Sequence, residues 1–179
     1  MEFQNLTRAV ANNDPVAMAT LGEKYEAGFF DPTTHNYQID GEKALSLYQR
    51  SANLGFRDGM FGVGHIYENG TGVPRDSAKA FQYTKAAAEL GHVRAIEQLA
   101  FDYMASTPYS NESTRQGYIW DQVGHALDST FNPDTSLEEG QLARDGALEQ
   151  TQREAAELFK TVKENSHQQC QKFPSGCQK

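Results

Sequence analysis

The residues that could most readily do chemistry are the two cysteines, Cys170 and Cys177, in the segment CQKFPSGC. Six residues separate them, so they do not form a CxxC redox motif, and no second pair of cysteines completes a zinc site. A local disulfide bond is the prediction, and it would imply an oxidising compartment. Two free thiols on a tail are the alternative.

The histidines and carboxylates form no recognisable catalytic motif. The five histidines are spread along the chain without an HExxH pattern, and no GxSxG nucleophile motif occurs. Glu138 and Glu139 occupy consecutive positions of an expected helix, where side chains do not face each other. The sequence therefore predicts no catalytic residue, no metal site and no cofactor.

The glycine-rich segment YENGTGVPRDSAKA, Tyr67–Ala80, raises the question of a phosphate-binding loop. A Walker loop requires GxxxxGK[ST], and the lysine is missing here. Gly70 instead suits a left-handed helix C-cap, Pro74 prevents the helix from continuing, and Asp76 can cap the next helix. The segment therefore predicts a corner between two antiparallel helices.

The elements around this corner occur twice in the chain. The stretch ATLGEKYEAG aligns with FGVGHIYENG at an offset of 42 residues, and DGEKALSLYQRSANLG aligns with DSAKAFQYTKAAAELG at an offset of 36. Apolar residues three and four apart give each stretch a helical period. Gly22 and Gly64 fall in mid-helix, where glycine costs about 1 kcal/mol relative to alanine, so we expect close helix–helix approaches there.

These two units resemble Sel-one-like repeats (SLR), a branch of the tetratricopeptide superfamily. The family's unit reads LGxxYxxGxGV followed by DxxKAxxWYxKAAxxG, and VGHIYENGTGV with DSAKAFQYTKAAAELG matches it almost in full. The resemblance covers roughly residues 14–128. It implies an all-α fold, namely a right-handed α/α solenoid of about three helix-pair repeats with a long C-terminal capping helix.

The predicted boundaries follow from the repeat alignment and, outside residues 14–128, from the helical period of the two ends. They are an N-terminal capping helix at 1–13, repeat 1 at 14–55 with a loop insert at 29–39, repeat 2 at 56–91, a degenerate repeat 3 at 92–128, and a C-terminal capping helix with a cysteine tail at 129–179. The capping helix is predicted to run from about Ser136 to Glu164. Its apolar stripe is Leu148, Thr151, Ala155, Phe159 and Val162.

The candidate partner-binding residues are those that would face the inner curve of such a solenoid. They are Glu23, Glu26, Phe61, His65, Glu68, Asn69, Glu97, Phe101 and Met104. Carboxylates around a few apolar side chains suit a partner that carries Lys or Arg around an apolar patch. Alternatively, Phe61 and Phe101 pack between repeats and the glutamates form an ordinary solvated surface. In the insert, Phe29, Phe30 and Tyr37 either bind a partner or cover the first helix pair.

Charge and hydropathy exclude some classes of partner. The net charge of −8 and the pI of about 5.1 argue against nucleic acid or an anionic membrane surface as the partner. No apolar run is long enough to span a membrane. The start, MEFQNLTRAV, lacks the basic-then-apolar order of a signal peptide, so a periplasmic location requires that a signal was removed.

The resemblance implies a non-enzymatic, protein-binding solenoid. The most specific expectation is a bacterial immunity protein in the periplasm, associated with type VI secretion, which neutralises a secreted antibacterial effector through its concave face. The alternative is an adaptor or scaffold that assembles a signalling or envelope complex, with the cytoplasm as the other possible location. A hydrolase of the cysteine-rich SLR type is the third reading.

Overall fold

The computed structural model describes residues 3–31, 35–105, 110–128, 130 and 135–177. Over these residues the chain forms nine α-helices, one β-hairpin and a short 3-10 helix at Pro174–Cys177. The helices are α1 (Phe3–Ala11), α2 (Pro15–Ala27), α3 (Gly41–Asn53), α4 (Arg57–Asn69), α5 (Ser77–Glu89), α6 (Val93–Met104), α7 (Asn111–Leu127), α8 (Ser136–Arg144) and α9 (Leu148–Lys172), and the strands are β1 (Phe29–Asp31) and β2 (Asn36–Gln38). The chain has the fold class predicted from the sequence, an all-α fold of solenoid helix pairs.

The chain packs as two compact units. Unit 1 extends to Ala86 and also contains the C-terminal segment from Gln169 onward, whereas unit 2 extends from Ala87 to Gln168. The helices α5 and α9 are therefore shared between the units. No helix of the described ranges is both long enough and apolar enough to cross a membrane.

Short polar residues determine where the helices of unit 1 begin and end. Asp14 accepts hydrogen bonds from the backbone N–H groups of Val16 and Ala17, and Pro15 occupies the first helical position of α2. The helix α4 ends at Gly70, which is left-handed with a φ of 68°, and Asp76 accepts from the N–H of Lys79 at the start of α5. The helix corner predicted in this segment is confirmed.

Glycines in mid-helix allow the aromatic ring of Tyr48, on α3, to lie against α2 and α4. A Cβ atom would lie 2.9 Å from the ring if added to Gly22 and 2.3 Å from it if added to Gly62. On the other side of α4, a Cβ on Gly64 would lie 2.8 Å from the hydroxyl of Thr84. The close approaches expected at Gly22 and Gly64 are confirmed, and Tyr48 is only 5% exposed.

The insert in the first unit contains a β-hairpin rather than a plain loop. Phe29 pairs with Gln38 and Phe30 with Tyr37 in antiparallel register. The ring of Phe29 stacks on Phe3 at a centroid distance of 5.0 Å, so it covers the first helices, whereas the side chain of Phe30 is 59% exposed. The side chain of Tyr37 lies outside the described part of the structure.

The prediction of one continuous helix from Ser136 to Glu164 is wrong. Two helices, α8 and α9, occupy this region and are separated at Gly146, whose φ is 70°. The N–H of Ala147 bonds to the carbonyl of Leu142 at 2.8 Å and that of Gly146 to Ala143, which is the hydrogen-bond pattern of a Schellman C-cap. The apolar period continues on both sides of the break, so periodicity alone did not reveal it.

Candidate functional site

The carboxylate of Glu26, on α2, joins three helices of unit 1. It accepts hydrogen bonds from the hydroxyl of Tyr48 on α3 at 2.9 Å and from Nδ1 of His65 on α4 at 2.6 Å. A carboxylate only accepts in such a pair, so Nδ1 of His65 carries the proton. The side chain of Glu26 is 16% exposed and that of His65 is 46% exposed, so a fixed acid lies just beneath the surface.

Asn69 extends this arrangement along α4. Its Nδ2 lies 3.0 Å from Nε2 of His65, which in the neutral ring is the accepting nitrogen, because Nδ1 holds the proton. The imidazole is 6.2 Å from the ring of Phe61, one turn earlier on α4. We call Glu26, Tyr48, His65 and Asn69 the Glu26 network.

Two further carboxylates predicted to bind a partner lie in unit 1. Glu68 forms a hydrogen-bonded ion pair with Arg75, and its side chain is 39% exposed. Glu23 is exposed. Burial raises the pKa of Asp58, and the negative charge of Glu23 adds to the effect while Arg57 opposes it. Glu23 is therefore close enough to the start of α4 to act electrostatically there.

Sequence reasoning missed two residues of this face, Tyr48 and Arg75. Tyr48 supplies the buried hydroxyl that holds Glu26, and Arg75 partly neutralises Glu68. A signal for Tyr48 was present, since two mid-helix glycines indicate a bulky neighbour. Which ring fills that space depends on helix packing, which the repeat alignment does not report.

The remaining predicted binding residues, Glu97, Phe101 and Met104, lie on α6 in unit 2. The side chain of Phe101 is 61% exposed. Met104 is half-buried and packs against α7, where a Cβ on Gly117 would lie 2.7 Å from its Cγ. Met104 therefore has a structural partner in its own unit, and Phe101 is the more accessible of the two.

Unit 2 also contains two buried carboxylates, of which the sequence analysis named only Glu138, as a neighbour of Glu139. Asp121 on α7 is 4% exposed and Glu138 on α8 is 9% exposed. Burial, together with the negative charge of Glu138, raises the pKa of Asp121 to about 6. Oε2 of Glu138 has no hydrogen-bond partner among the described atoms. Asp121 can therefore hold a proton at mildly acidic pH.

Neither unit shows a metal-binding arrangement within its described residues, where no group of three or more His, Cys, Asp or Glu side chains converges. Cys170 and Cys177 are joined by a disulfide bond with a Cα–Cα distance of 5.5 Å. Both cysteines of the sequence are therefore engaged with each other.

Two of the helix pairs described above, α2 with α3 and α4 with α5, match a known repeat. The family model of the Sel1 repeat matches residues 15–56 and 57–92. The chain therefore contains two Sel1 repeats, which span residues 15–92. The Glu26 network spans both matches, since Glu26 and Tyr48 belong to the first Sel1 repeat and His65 and Asn69 to the second.

Solved structures share the fold of this Sel1-repeat chain. The crystal structure of a Sel1 repeat protein from Oxalobacter formigenes is 23% identical with a TM-score of 0.61, and the match covers 77% of this chain and 56% of that one. A protective antigen of uropathogenic Escherichia coli with an SLR fold is 21% identical with a TM-score of 0.55, covering 96% of this chain and 33% of that one.

A curated protein with a described role also matches part of the chain. It is the chitin synthase regulator SKT5 of Saccharomyces cerevisiae, which is 30% identical over 83 residues, or 46% of this chain. This chain spans only 11% of the length of the yeast regulator. The similarity therefore concerns a repeat region and not the whole of that protein.

Proposed function

We propose that this Sel1-repeat chain binds another protein, without catalysing a reaction, through the face of unit 1 that the Glu26 network builds. The face consists of that network together with Glu23, Phe61 and Glu68. It combines carboxylates with an aromatic ring, and the whole chain has a net charge of −8. A partner with Lys or Arg around an apolar patch complements it.

The observation that carries this proposal is the fixed position of Glu26. Its two oxygens are held by donors from two other helices, at 2.9 Å and 2.6 Å. A side chain that is ordered before a partner arrives loses little conformational entropy on binding. The face is therefore suited to tight recognition rather than to a loose encounter.

In its most specific form the proposal is that the partner is a secreted antibacterial effector and that this chain is its immunity protein. A neutralising protein must cover its target at low concentration, so a preorganised surface favours this role. The disulfide bond favours an oxidising compartment, which for a bacterial chain is the periplasm.

Carboxyl-to-amine cross-linking is the first test of the binding face. The protein is first used to capture its partner from an extract of the native host. A carbodiimide then joins carboxylates to lysines at contact distance, and mass spectrometry identifies the linked residues. We expect links from Glu23 and Glu68 to lysines of one partner. The purified partner is then titrated against the double variant Glu23→Lys, Glu68→Lys, for which we expect affinity to fall at least about tenfold, because both attractive charges become repulsive.

The matched control is Glu89→Lys combined with Glu164→Lys. Both side chains are exposed, and the two reversals change the net charge by the same amount. If the control loses as much affinity as the face variant, only net charge matters and the proposed face is wrong. An immunity role further requires that one equivalent of this chain abolishes the activity of the captured partner.

The similarity to a chitin synthase regulator favours a second candidate, an adaptor or regulatory subunit that assembles an enzyme complex. An adaptor binds two partners at once, with affinities typically on the order of micromolar, whereas an immunity protein binds one partner on the order of nanomolar or tighter. Light scattering of the reconstituted complex separates them. A ternary complex supports the adaptor, and an inhibited binary complex supports immunity.

A further inference from the structure

The C-terminal segment of unit 1, residues 169–177, lies over the turn that joins α3 to α4. Nε2 of Gln169 donates to the carbonyl of Gly55 at 3.0 Å, and Nζ of Lys172 donates to the carbonyl of Leu54 at 3.2 Å. These carbonyls follow the last residue of α3, where helices leave acceptors unsatisfied. The segment therefore supplies hydrogen bonds that the turn itself lacks.

The same segment covers an aromatic ring at that turn. Phe56 is 1% exposed and contacts the ring of Phe173 edge-on at a centroid distance of 5.2 Å. Gly176 lies so close that a Cβ atom there would be 2.6 Å from Phe56 and 3.3 Å from Val16. The burial of Phe56 thus depends on residues that come more than a hundred positions later in the chain.

The disulfide bond closes this covering segment into a loop. Phe173 and Gly176, the two residues that touch Phe56, both lie between Cys170 and Cys177. A closed loop of eight residues has far fewer conformations than an open tail, so the bond presents both residues to Phe56 together. Without the bond the segment would have to be ordered by its contacts alone.

A positive charge lies beside one end of the bond. The guanidinium of Arg57 is 3.8 Å from Sγ of Cys177. A neighbouring cation stabilises a thiolate, and a disulfide is cleaved faster when the departing sulfur is a stabilised thiolate. Both cysteines are partly exposed, so a small thiol can reach the bond.

We propose that the Cys170–Cys177 disulfide is a redox-operated latch that holds residues 169–177 over Phe56, and that Arg57 directs its opening toward release of Cys177. The reductant is a dithiol. One of its thiolates attacks Sγ of Cys170, the bond between the two sulfurs breaks, and Cys177 leaves as a thiolate beside Arg57. The second thiol of the reductant then displaces Cys170, so the reductant becomes a disulfide and the protein gains two thiols.

Opening the latch exposes an apolar surface that the oxidised protein keeps covered. Phe56 loses the cover of Phe173 and Gly176, and Phe173 becomes free to leave the turn. The latch is separate from the Glu26 network, so it does not depend on the proposed binding face.

Hydrogen exchange of the full chain, oxidised and after treatment with dithiothreitol, tests the latch. We expect amide exchange across 169–177 to accelerate at least about tenfold on reduction, while α7 of unit 2 is unchanged. The double variant Cys170→Ser, Cys177→Ser is expected to exchange fast with or without dithiothreitol. The variant Gly176→Ala keeps the sulfurs but adds a clashing Cβ, and we expect fast exchange of the segment even when oxidised.

The role of Arg57 is tested by the rate at which dithiothreitol reduces the bond. We expect Arg57→Ala to slow reduction several-fold and Arg57→Lys to retain most of the rate, with Arg153→Ala, an exposed control, at the native rate. Unchanged protection of 169–177 after reduction would overturn the latch. Equal reduction rates in Arg57→Ala and the native chain would overturn the assignment of Arg57.

Discussion

At the scale of single residues, the two buried acids of unit 2 show how surroundings change an ordinary side chain. Asp121 and Glu138 lie on neighbouring helices with almost no exposure to water. Burial and a neighbouring negative charge both disfavour ionisation, which is why the pKa of Asp121 rises to about 6. The number of protons that unit 2 binds on folding therefore depends on Asp121.

The variant Asp121→Asn should remove a pH dependence of stability. The folded-state pKa of Asp121 is above its ordinary value of 3.8, so its contribution is fully present below about pH 4 and is lost as the pH rises through about 6. We expect the free energy of unfolding of the native protein to fall by on the order of 2 to 3 kcal/mol over that window from this group.

Denaturant titrations at a series of pH values measure this dependence. The variant Asp121→Asn is expected to show a flatter profile between pH 4 and 7, and Glu164→Gln, at an exposed position, is expected to follow the native profile. If the unfolding free energy of Asp121→Asn still falls as steeply between pH 4 and 7, other groups cause the pH dependence.

Tyr48→Phe tests the hydroxyl that holds Glu26. The variant keeps the ring packing but leaves Oε2 of Glu26 without this donor, so we expect a loss of about 1 to 2 kcal/mol in unfolding free energy. The comparison is Tyr83→Phe, at a half-buried tyrosine outside the network, for which we expect less than about 0.5 kcal/mol. Equal losses in the two variants would mean that the Tyr48–Glu26 bond contributes nothing to stability.

At the scale of elements, the helices of unit 1 approach closely because glycines replace side chains at the contacts. Gly22 on α2 and Gly62 on α4 leave room for the ring of Tyr48 from α3. Each glycine weakens its own helix by about 1 kcal/mol relative to alanine. Burial of the Tyr48 ring, which is 5% exposed, opposes this cost. Helix propensity therefore disfavours glycine at these positions, whereas packing of the Tyr48 ring requires it.

Gly62→Ala should destabilise the chain although alanine favours helices. The new Cβ would lie 2.3 Å from the Tyr48 ring, which must move, and we expect a cost of about 2 kcal/mol. Gly140→Ala on α8 is the control, because only the end of the flexible Arg144 side chain lies near its Cβ, at 3.6 Å. That variant is expected to gain a few tenths to about 1 kcal/mol. Thermal unfolding measures the stability of both variants relative to the native protein. A Gly62→Ala variant as stable as the native protein would contradict the packing argument.

At the scale of the whole molecule, the Sel1 repeats do not coincide with a compact unit. The repeats match residues 15–92, whereas unit 1 ends at Ala86 and recruits the chain from Gln169 onward. Phe173 and Gly176 complete the packing of Phe56, which lies at the end of the first repeat. The repeats therefore depend on a distant segment of the same chain.

Phe173→Ala measures this dependence. The ring is half-buried against Phe56, so we expect a loss of about 2 kcal/mol in the unfolding free energy of the oxidised protein. Phe30→Ala, at a ring that is 59% exposed, is expected to cost much less. Calorimetry measures the unfolding free energy of both variants. An unchanged value in Phe173→Ala would show that this ring adds nothing to the stability of unit 1.

The fold class and the repeats can be predicted from local patterns of amino acids. Gly70, Pro74 and Asp76 act over a few residues, and their effects on helix ends can be read locally. The apolar period and the repeated motifs predicted helix pairs for the same reason. The break at Gly146 escaped prediction because the apolar pattern runs through it, while the deciding Schellman bonds appear only in the folded backbone.

The candidate site is built by helix packing. The sequence selected Glu26 and His65 as residues facing a partner, but their hydrogen bond, and the Tyr48 hydroxyl that fixes it, join three helices. The electrostatic effect of Glu138 on Asp121 likewise joins two helices, and the cover of Phe173 over Phe56 joins residues more than a hundred positions apart. Such contacts depend on how the helices pack, and the mid-helix glycines indicate a close approach without identifying the residues that meet there.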